Sequence, residues 1–199
     1  MHQQRLDAVL DAIAGTNAQS VLDLGCGDGD LFLLLAARQE ITQIVGIDIC
    51  AVSLARLKTR LAQINAAAKK IDLQIGSMTV ADPALSGFGC AVLLETIEHI
   101  APCDLSQLER AVFQQMRPRN VIITTPNAEF NPLLGVPTHR FRHPDHQFEW
   151  PRAKFRHWGN RVAVAFDYVV QYRDIAGCHP VLGGASQMAI FTDTREMGN

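Results

Sequence analysis

Two stretches of this chain place residues capable of chemistry at close spacing. In Glu95-Thr96-Ile97-Glu98-His99, two carboxylates and an imidazole stand at i, i+3 and i+4. If the chain turns helical there, the three share one face and converge. Two carboxylates and one imidazole suit a divalent ion; Mg2+ and Mn2+ are the candidates, and the imidazole favours Mn2+. No thiolate is spaced to join them, which disfavours zinc. Further on, His139-Arg140-Phe141-Arg142-His143-Pro144-Asp145-His146-Gln147-Phe148-Glu149-Trp150 concentrates three histidines. A fourth ligand from this stretch would complete a site with positions left open for substrate.

The other stretch is Asp23-Leu24-Gly25-Cys26-Gly27-Asp28-Gly29. Glycines at this spacing let the backbone turn sharply and approach a ligand with no Cβ in the way. A helix beginning just behind them offers free N–H groups. A dinucleotide fingerprint would read G-x-G-x-x-G, but Asp30 stands where the third glycine belongs, and Gly29 comes one position early. Asp48 follows about twenty residues on, where a carboxylate can accept both hydroxyls of an adenosine ribose.

The elements that must position these residues read from hydrophobic spacing. Leu6, Val9, Leu10 and Ile13 recur at helical period, predicting a helix over 3–14. Apolar runs at 20–24, 44–48, 71–75, 90–94 and 121–124 predict strands, separated by helices over 31–38, about 53–66, and from a cap at Asp104 to about Met116. Strands alternating with helices imply a parallel sheet covered on both faces. The segment from Pro126 to Trp150, with Pro132, Gly135, Pro137 and Pro144, is long for a connection and marks a functional loop. Pro151 suits the first turn of a helix ending near Arg161. Strands over 162–172 and 187–192, an antiparallel pair, complete one domain spanning 1–199. The glycine loop and the acidic cluster both fall at carboxyl ends of strands, where open parallel sheets bind ligands.

The D-x-G-C-G-x-G loop and its spacing to Asp48 resemble the first two motifs of the class I methyltransferases. That resemblance implies an α/β, Rossmann-like fold with a seven-stranded, mostly parallel sheet, an antiparallel C-terminal strand and helices on both faces. It implies S-adenosylmethionine as cofactor, held by Asp23, Gly25, Gly27 and Asp48, with Ser77 near the adenine. Three further blocks are more specific: Glu95-Thr96-Ile97-Glu98-His99, Thr125-Pro126-Asn127-Ala128-Glu129-Phe130-Asn131, and Asp145-His146-Gln147-Phe148-Glu149-Trp150. With them the chain, from Gln4 to Met188, resembles the small-RNA 3′-terminal 2′-O-methyltransferases, a family with plant, animal and bacterial RNA-repair branches. The family's metal ligands would fall on Glu95, Glu98, His99 and His146, the last chosen over His143 from the pattern D-H-x-F-E-W. His139 and His143 become loop or RNA contacts. Pro151 departs from the threonine usual in bacterial relatives.

The implied reaction is metal-dependent methyl transfer from S-adenosylmethionine to the 2′-hydroxyl of an RNA 3′ end bearing a 2′,3′-diol. The expected chain is a monomeric, cytoplasmic catalytic domain, either free-standing or accompanied by an N-terminal domain or an RNA-repair kinase-phosphatase/ligase partner. Six Lys or Arg and four His lie between Thr138 and Arg161, against Asp145 and Glu149. A local basic segment in a chain of net charge −2 can be a phosphate footprint. Arg140, Arg142, Arg152, Lys154 and Arg156 are the candidate phosphate contacts, and Phe130, Phe141 and Phe148 the candidate stacking rings. No apolar run spans a bilayer. Five scattered cysteines argue against a disulfide framework. Three alternatives stay open: a class I methyltransferase acting on a protein or small molecule, a non-catalytic RNA-binding module, and a metal-dependent nuclease.

Overall fold

The computed structural model describes residues 1–196. Strands β1 (Ser20–Leu24), β2 (Gln43–Asp48), β3 (Lys70–Ile75), β4 (Cys90–Leu94), β5 (Asn120–Pro126), β6 (Tyr168–Ile175) and β7 (Ser186–Asp193) form one sheet in the order β3-β2-β1-β4-β5-β7-β6. Pairings from β3 through β5 are parallel; β7 runs antiparallel to both β5 and β6. From β1 the strand order runs outward to β3 on one side and, from β4, to β6 on the other, so its switch point lies between β1 and β4. The glycine loop and the acidic cluster leave from those two strands.

Strand alternation builds a core on each face. Leu22, Leu24, Ala91, Leu93, Val121 and Ile123 point to one side, and Val21, Cys90, Val92 and Ile122 to the other. The first side is covered by α4 (Leu105–Glu109) with its continuation to Met116, and by α5 (Arg152–Phe166), through Leu108, Val112, Phe113, Phe155 and Trp158. The second is covered by α1 (His2–Gly15), α2 (Asp30–Ala36) and α3 (Ala51–Leu61), through Leu6, Val9, Phe32 and Leu57. The sequence expectation of helices on both faces of a mostly parallel sheet therefore holds.

Two local expectations are corrected. The stretch from Val162 is not strand: α5 continues to Phe166 and stops at Asp167, whose left-handed φ of 61° ends it. Val162 and Ala163 look like the start of a strand by composition, but at helical spacing from Phe155, Trp158 and Gly159 they bury one stripe in the core. Packing overrides β propensity there. Asp104 does not cap a helix through its side chain; its carboxylate accepts from the Gln107 amide instead. The helix that follows widens to π winding over Arg110–Met116 and ends at Arg117, again left-handed. Within the long connection, Ala128–Leu134 is 3₁₀ helix, begun by the Asn127 side chain accepting from Glu129 N–H.

Candidate active site

The glycine loop takes the conformation its sequence demands. Gly25, Gly27 and Gly29 all have positive φ. A Cβ at Gly25 would stand 2.6 Å from Thr96 Cγ2, and one at Gly29 would stand 2.1 Å from Leu57 Cδ1. At Gly27 the same atom would meet nothing within 4 Å, so that glycine borders open space. The Asp48 carboxylate is gripped from two sides, accepting from Gly27 N–H and Cys50 N–H at 2.8 Å each. A carboxylate has about four lone-pair sites, so this grip leaves capacity for a ribose diol.

Around it, His2, Arg5, Asp23, Gly25, Gly27, Asp30 and Glu95 line a polar cleft. Ile49 and Ile75, at the ends of β2 and β3, are 74% and 70% exposed, an apolar rim suited to a planar base. Sequence reasoning missed this rim, because apolar residues at strand ends read as core. Ser77 lies beyond β3 as expected, but its hydroxyl is turned onto Thr79. What Ser77 offers a ligand is its backbone.

The acidic cluster does not continue as an α-helix. Glu95 has φ 52°, a left-handed elbow at which β4 ends, and only Ile97–His99 winds, as 3₁₀ helix. The elbow is pinned by Glu95 N–H donating to the Thr124 hydroxyl. It places the two carboxylates inside. Glu98 is fully buried, one oxygen accepting from Thr125 Oγ1 at 2.9 Å. One Glu95 oxygen accepts from Ser186 Oγ and lies 3.5 Å from Arg5. Burial raises both carboxyls above the usual range, and the charge of Glu95 pushes Glu98 further.

Among the described residues, the buried side-chain polar atoms without a partner are Arg5 Nε, Asp23 Oδ2, Glu95 Oε1, Thr96 Oγ1 and Glu98 Oε1. All five belong to α1 or to the carboxyl ends of β1 and β4. Unsatisfied buried groups are costly and rare, so their concentration at one place marks where ligands belong. The acceptor oxygens of Glu95 and Glu98 fit a divalent cation. Asp23 Oδ2 and Arg5 fit the charged end of an amino acid. Burial, aided by Asp48, raises the Asp23 carboxyl to about 7.

The imidazoles come from outside this buried floor. Gln147 N–H donates to the Glu98 carbonyl and draws the long loop over the 3₁₀ turn. His146 Nδ1 is 2.6 Å from Glu149 Oε1, and Glu149 also accepts from Arg142 N–H and Asn131 Nδ2. His99 and His146 stand ring to ring at 4.8 Å. Desolvation, with His146 and His143 beside it, lowers the pKa of His99, which favours the neutral ligating form. His143, expected only as a loop or RNA contact, joins them: one nitrogen from each of His99, His143 and His146 lies within 4.8 Å of the others.

The expected phosphate contacts separate into two kinds. Arg142 is a structural tie: its guanidinium donates to Asn131 Oδ1, the Ala185 carbonyl and the Asn127 carbonyl. Arg152 is held by Glu129. Lys154 lies over the Trp150 ring and Arg156 over Tyr172, both on the surface of α5. Of the candidate stacking rings, Phe148 is core, packed on Trp150 at 4.2 Å, whereas Phe141 is 46% exposed. Single residue types cannot separate these roles, since a buried tie and a solvated cation look alike in sequence. No helix among the described residues is long and apolar enough to cross a membrane.

Residues 21–119 match the family model of a methyltransferase domain. The chain is 38% identical over 203 residues to a small RNA 2′-O-methyltransferase of Xenopus tropicalis, covering 96% of this chain and 54% of that protein. It thus spans about half the length of the curated vertebrate relatives it matches. Among solved structures it resembles the methyltransferase domain of bacterial CtHen1 (34% identity, TM-score 0.84, covering 96% of this chain and 98% of that one). It also resembles the small RNA methyltransferase HEN1 (29% identity, TM-score 0.89, covering 98% of this chain and 26% of that one).

Proposed function

The chain belongs to the small-RNA 2′-O-methyltransferase family, and we propose that it moves the methyl group of S-adenosylmethionine to the 2′-hydroxyl of the 3′-terminal nucleotide of an RNA. The observation that carries this reading is the group of unpartnered buried atoms at the carboxyl ends of β1 and β4. They divide into a cofactor half and a metal half on neighbouring strands, as transfer between two bound reactants requires.

On the cofactor half, Asp48 accepts the ribose hydroxyls, Gly25 and Gly27 let the backbone approach, and the Ile49 and Ile75 rim flanks the adenine. Asp23 faces the ammonium of the methionine portion and Arg5 its carboxylate. On the other half, Glu95, Glu98, His99 and His146 hold a divalent ion, with Mn2+ favoured over Mg2+ by the two imidazoles. The ion, when bound, supplies Lewis acidity that lowers the pKa of the vicinal 2′- and 3′-hydroxyls. Thr125 orients Glu98 and Glu149 orients His146, so that these two donors are each preset for the ion. The substrate oxygen forms its bond to the methyl carbon as the carbon–sulfur bond breaks, the sulfonium becomes a neutral thioether, and the hydroxyl proton passes to solvent. Fixing the attacking oxygen in line with the methyl group is the main service the site performs. Phe141, Arg140, Lys154 and Arg156, exposed side chains of the basic segment, are the ones left to meet the strand behind its end.

The test is labelled methyl transfer to a short RNA and to its twin ending in a 2′-deoxynucleotide, each with Mn2+, Mg2+ or chelator. Transfer only to the diol-ended RNA, lost in chelator and in Glu98→Gln, is the expected result. Equal labelling of both RNAs would sink the 3′-end assignment, and full activity in chelator would sink the metal.

A further inference from the structure

His143 has no part in the chemistry above, yet it stands beside two residues that do. The ring centroids of His99, His143 and His146 are separated by 5.8 Å (99 to 143), 4.8 Å (99 to 146) and 5.6 Å (143 to 146). His146 is engaged on its protein side, its Nδ1 2.6 Å from Glu149 Oε1, as in metal-binding histidines, whose far nitrogen rests on a carboxylate or carbonyl while the near one faces the ion. His143 Nδ1 accepts from Asp145 N–H at 3.2 Å, which fixes that ring within the turn. The converging set consists of imidazoles alone.

The geometry points to a second cation site, formed by His99, His143 and His146 and selective for a borderline ion such as Zn2+, whose filling withdraws His99 and His146 from the carboxylates and stops methyl transfer. Imidazole donors favour Zn2+, whereas carboxylates favour Mg2+ and Mn2+. The absence of a spaced thiolate, which disfavours zinc on sequence grounds, is answered by a third imidazole that only the folded loop brings into place. Zn–N bonds of about 2.0–2.1 Å require the nitrogens to close to roughly 3.4 Å. The widest pair must therefore move by a little over ~1 Å. His99 and His143 are exposed, and His146, whose ring is nearly buried, shares with His143 a turn closed by His146 N–H donating to the His143 carbonyl, so the closure falls mainly on His99 and His143. The binding claim stands by itself; the inhibition claim rests on the function proposed above.

The full chain, stripped of metal, is titrated with Zn2+ against a chromophoric chelator and with Mn2+ by electron paramagnetic resonance. His143→Ala and the size-preserving His143→Gln are expected to weaken Zn2+ on the order of tenfold or more and to leave Mn2+ within about twofold. Glu98→Gln is expected to do the reverse. Unchanged Zn2+ affinity in both His143 variants overturns the site, and so does equal weakening of both ions by every variant, which would mean one shared site. In the transfer assay, Zn2+ inhibits the Mn2+-supported reaction, and the His143 variants need on the order of ten times more; indifference to saturating Zn2+ overturns the shut-off. Zn2+ binding in the expected pattern without methyl transfer under any metal would refute the proposed function and leave the zinc site standing.

Discussion

Replacing Asp23 by asparagine isolates the electrostatic cost of a buried carboxyl with an unpartnered oxygen beside the glycine loop. Asp23 is 2% exposed, Oδ2 has no partner, and burial with the nearby Asp48 raises its carboxyl from 3.8 to about 7. One pKa unit corresponds to about 1.4 kcal/mol, so ionising this group in the folded chain costs roughly 4 kcal/mol more than in the unfolded one. The sign follows from proton binding. Below the unfolded value both states hold the proton and the cost is absent. As pH rises from about 4 toward 7 the unfolded chain releases its proton first, and stability falls throughout that window. Above about 7 the folded group ionises too and the loss levels off. The amide that replaces the carboxyl carries no charge at any pH. In urea unfolding without cofactor, Asp23→Asn should therefore gain little over the parent at pH 4.5 and up to roughly 4 kcal/mol at pH 8. Glu95 and Glu98 titrate in both proteins, so the difference between variants cancels them. Calorimetric titration with S-adenosylmethionine should show the stabilised variant binding at least about tenfold more weakly, since a neutral amide no longer attracts the ammonium. An advantage equal at both pH values, or a variant less stable at pH 8, would refute the reasoning.

The glycine loop separates into packing and ligand positions. Gly29→Ala, with φ 88° and a Cβ driven against Leu57, should cost the fold on the order of 2–4 kcal/mol in thermal unfolding. Gly27→Ala should cost only about 1–2 kcal/mol, because its Cβ enters open space, but should lose cofactor affinity in the same titration. Arg142→Lys keeps the charge and loses the fork that ties Asn127, Asn131 and Ala185. It should destabilise by about 1–3 kcal/mol and expose the 128–150 segment to limited proteolysis. A stable Arg142→Lys variant with a raised KM for RNA would instead make this residue a phosphate contact.

Local patterns carry much of this protein into view. Strand, glycine loop and helix over 20–36 are dictated by short-range rules, because only glycine takes positive φ without cost and a run such as Ser20–Leu24 cannot stay in water. Asp48 is legible for the same reason, lying at a set distance along one strand–helix–strand unit. The pairing order of the strands is legible only in part. Hydrophobic period shows that a strand exists but not its neighbour, and the insertion of β7 between β5 and β6 is decided by long-range ladders. The boundary at Val162 is hidden from sequence because β-branched residues on a buried helix stripe imitate a strand.

At the site, spacing brought out Glu95, Glu98 and His99 as candidate donors, and the family resemblance added His146. Tertiary structure decided that Glu98 is buried and Glu95 half-buried, each with an unpartnered oxygen, and that His146 is seated on Glu149 while His99 is exposed. It decided that Arg142 is a tie and Phe148 core, and that His143 joins His99 and His146. The reason is physical. Residue type states what a group can donate or accept, whereas desolvation, partner distance and approach across dozens of residues are properties of the folded chain, and these determine which donor meets which ligand.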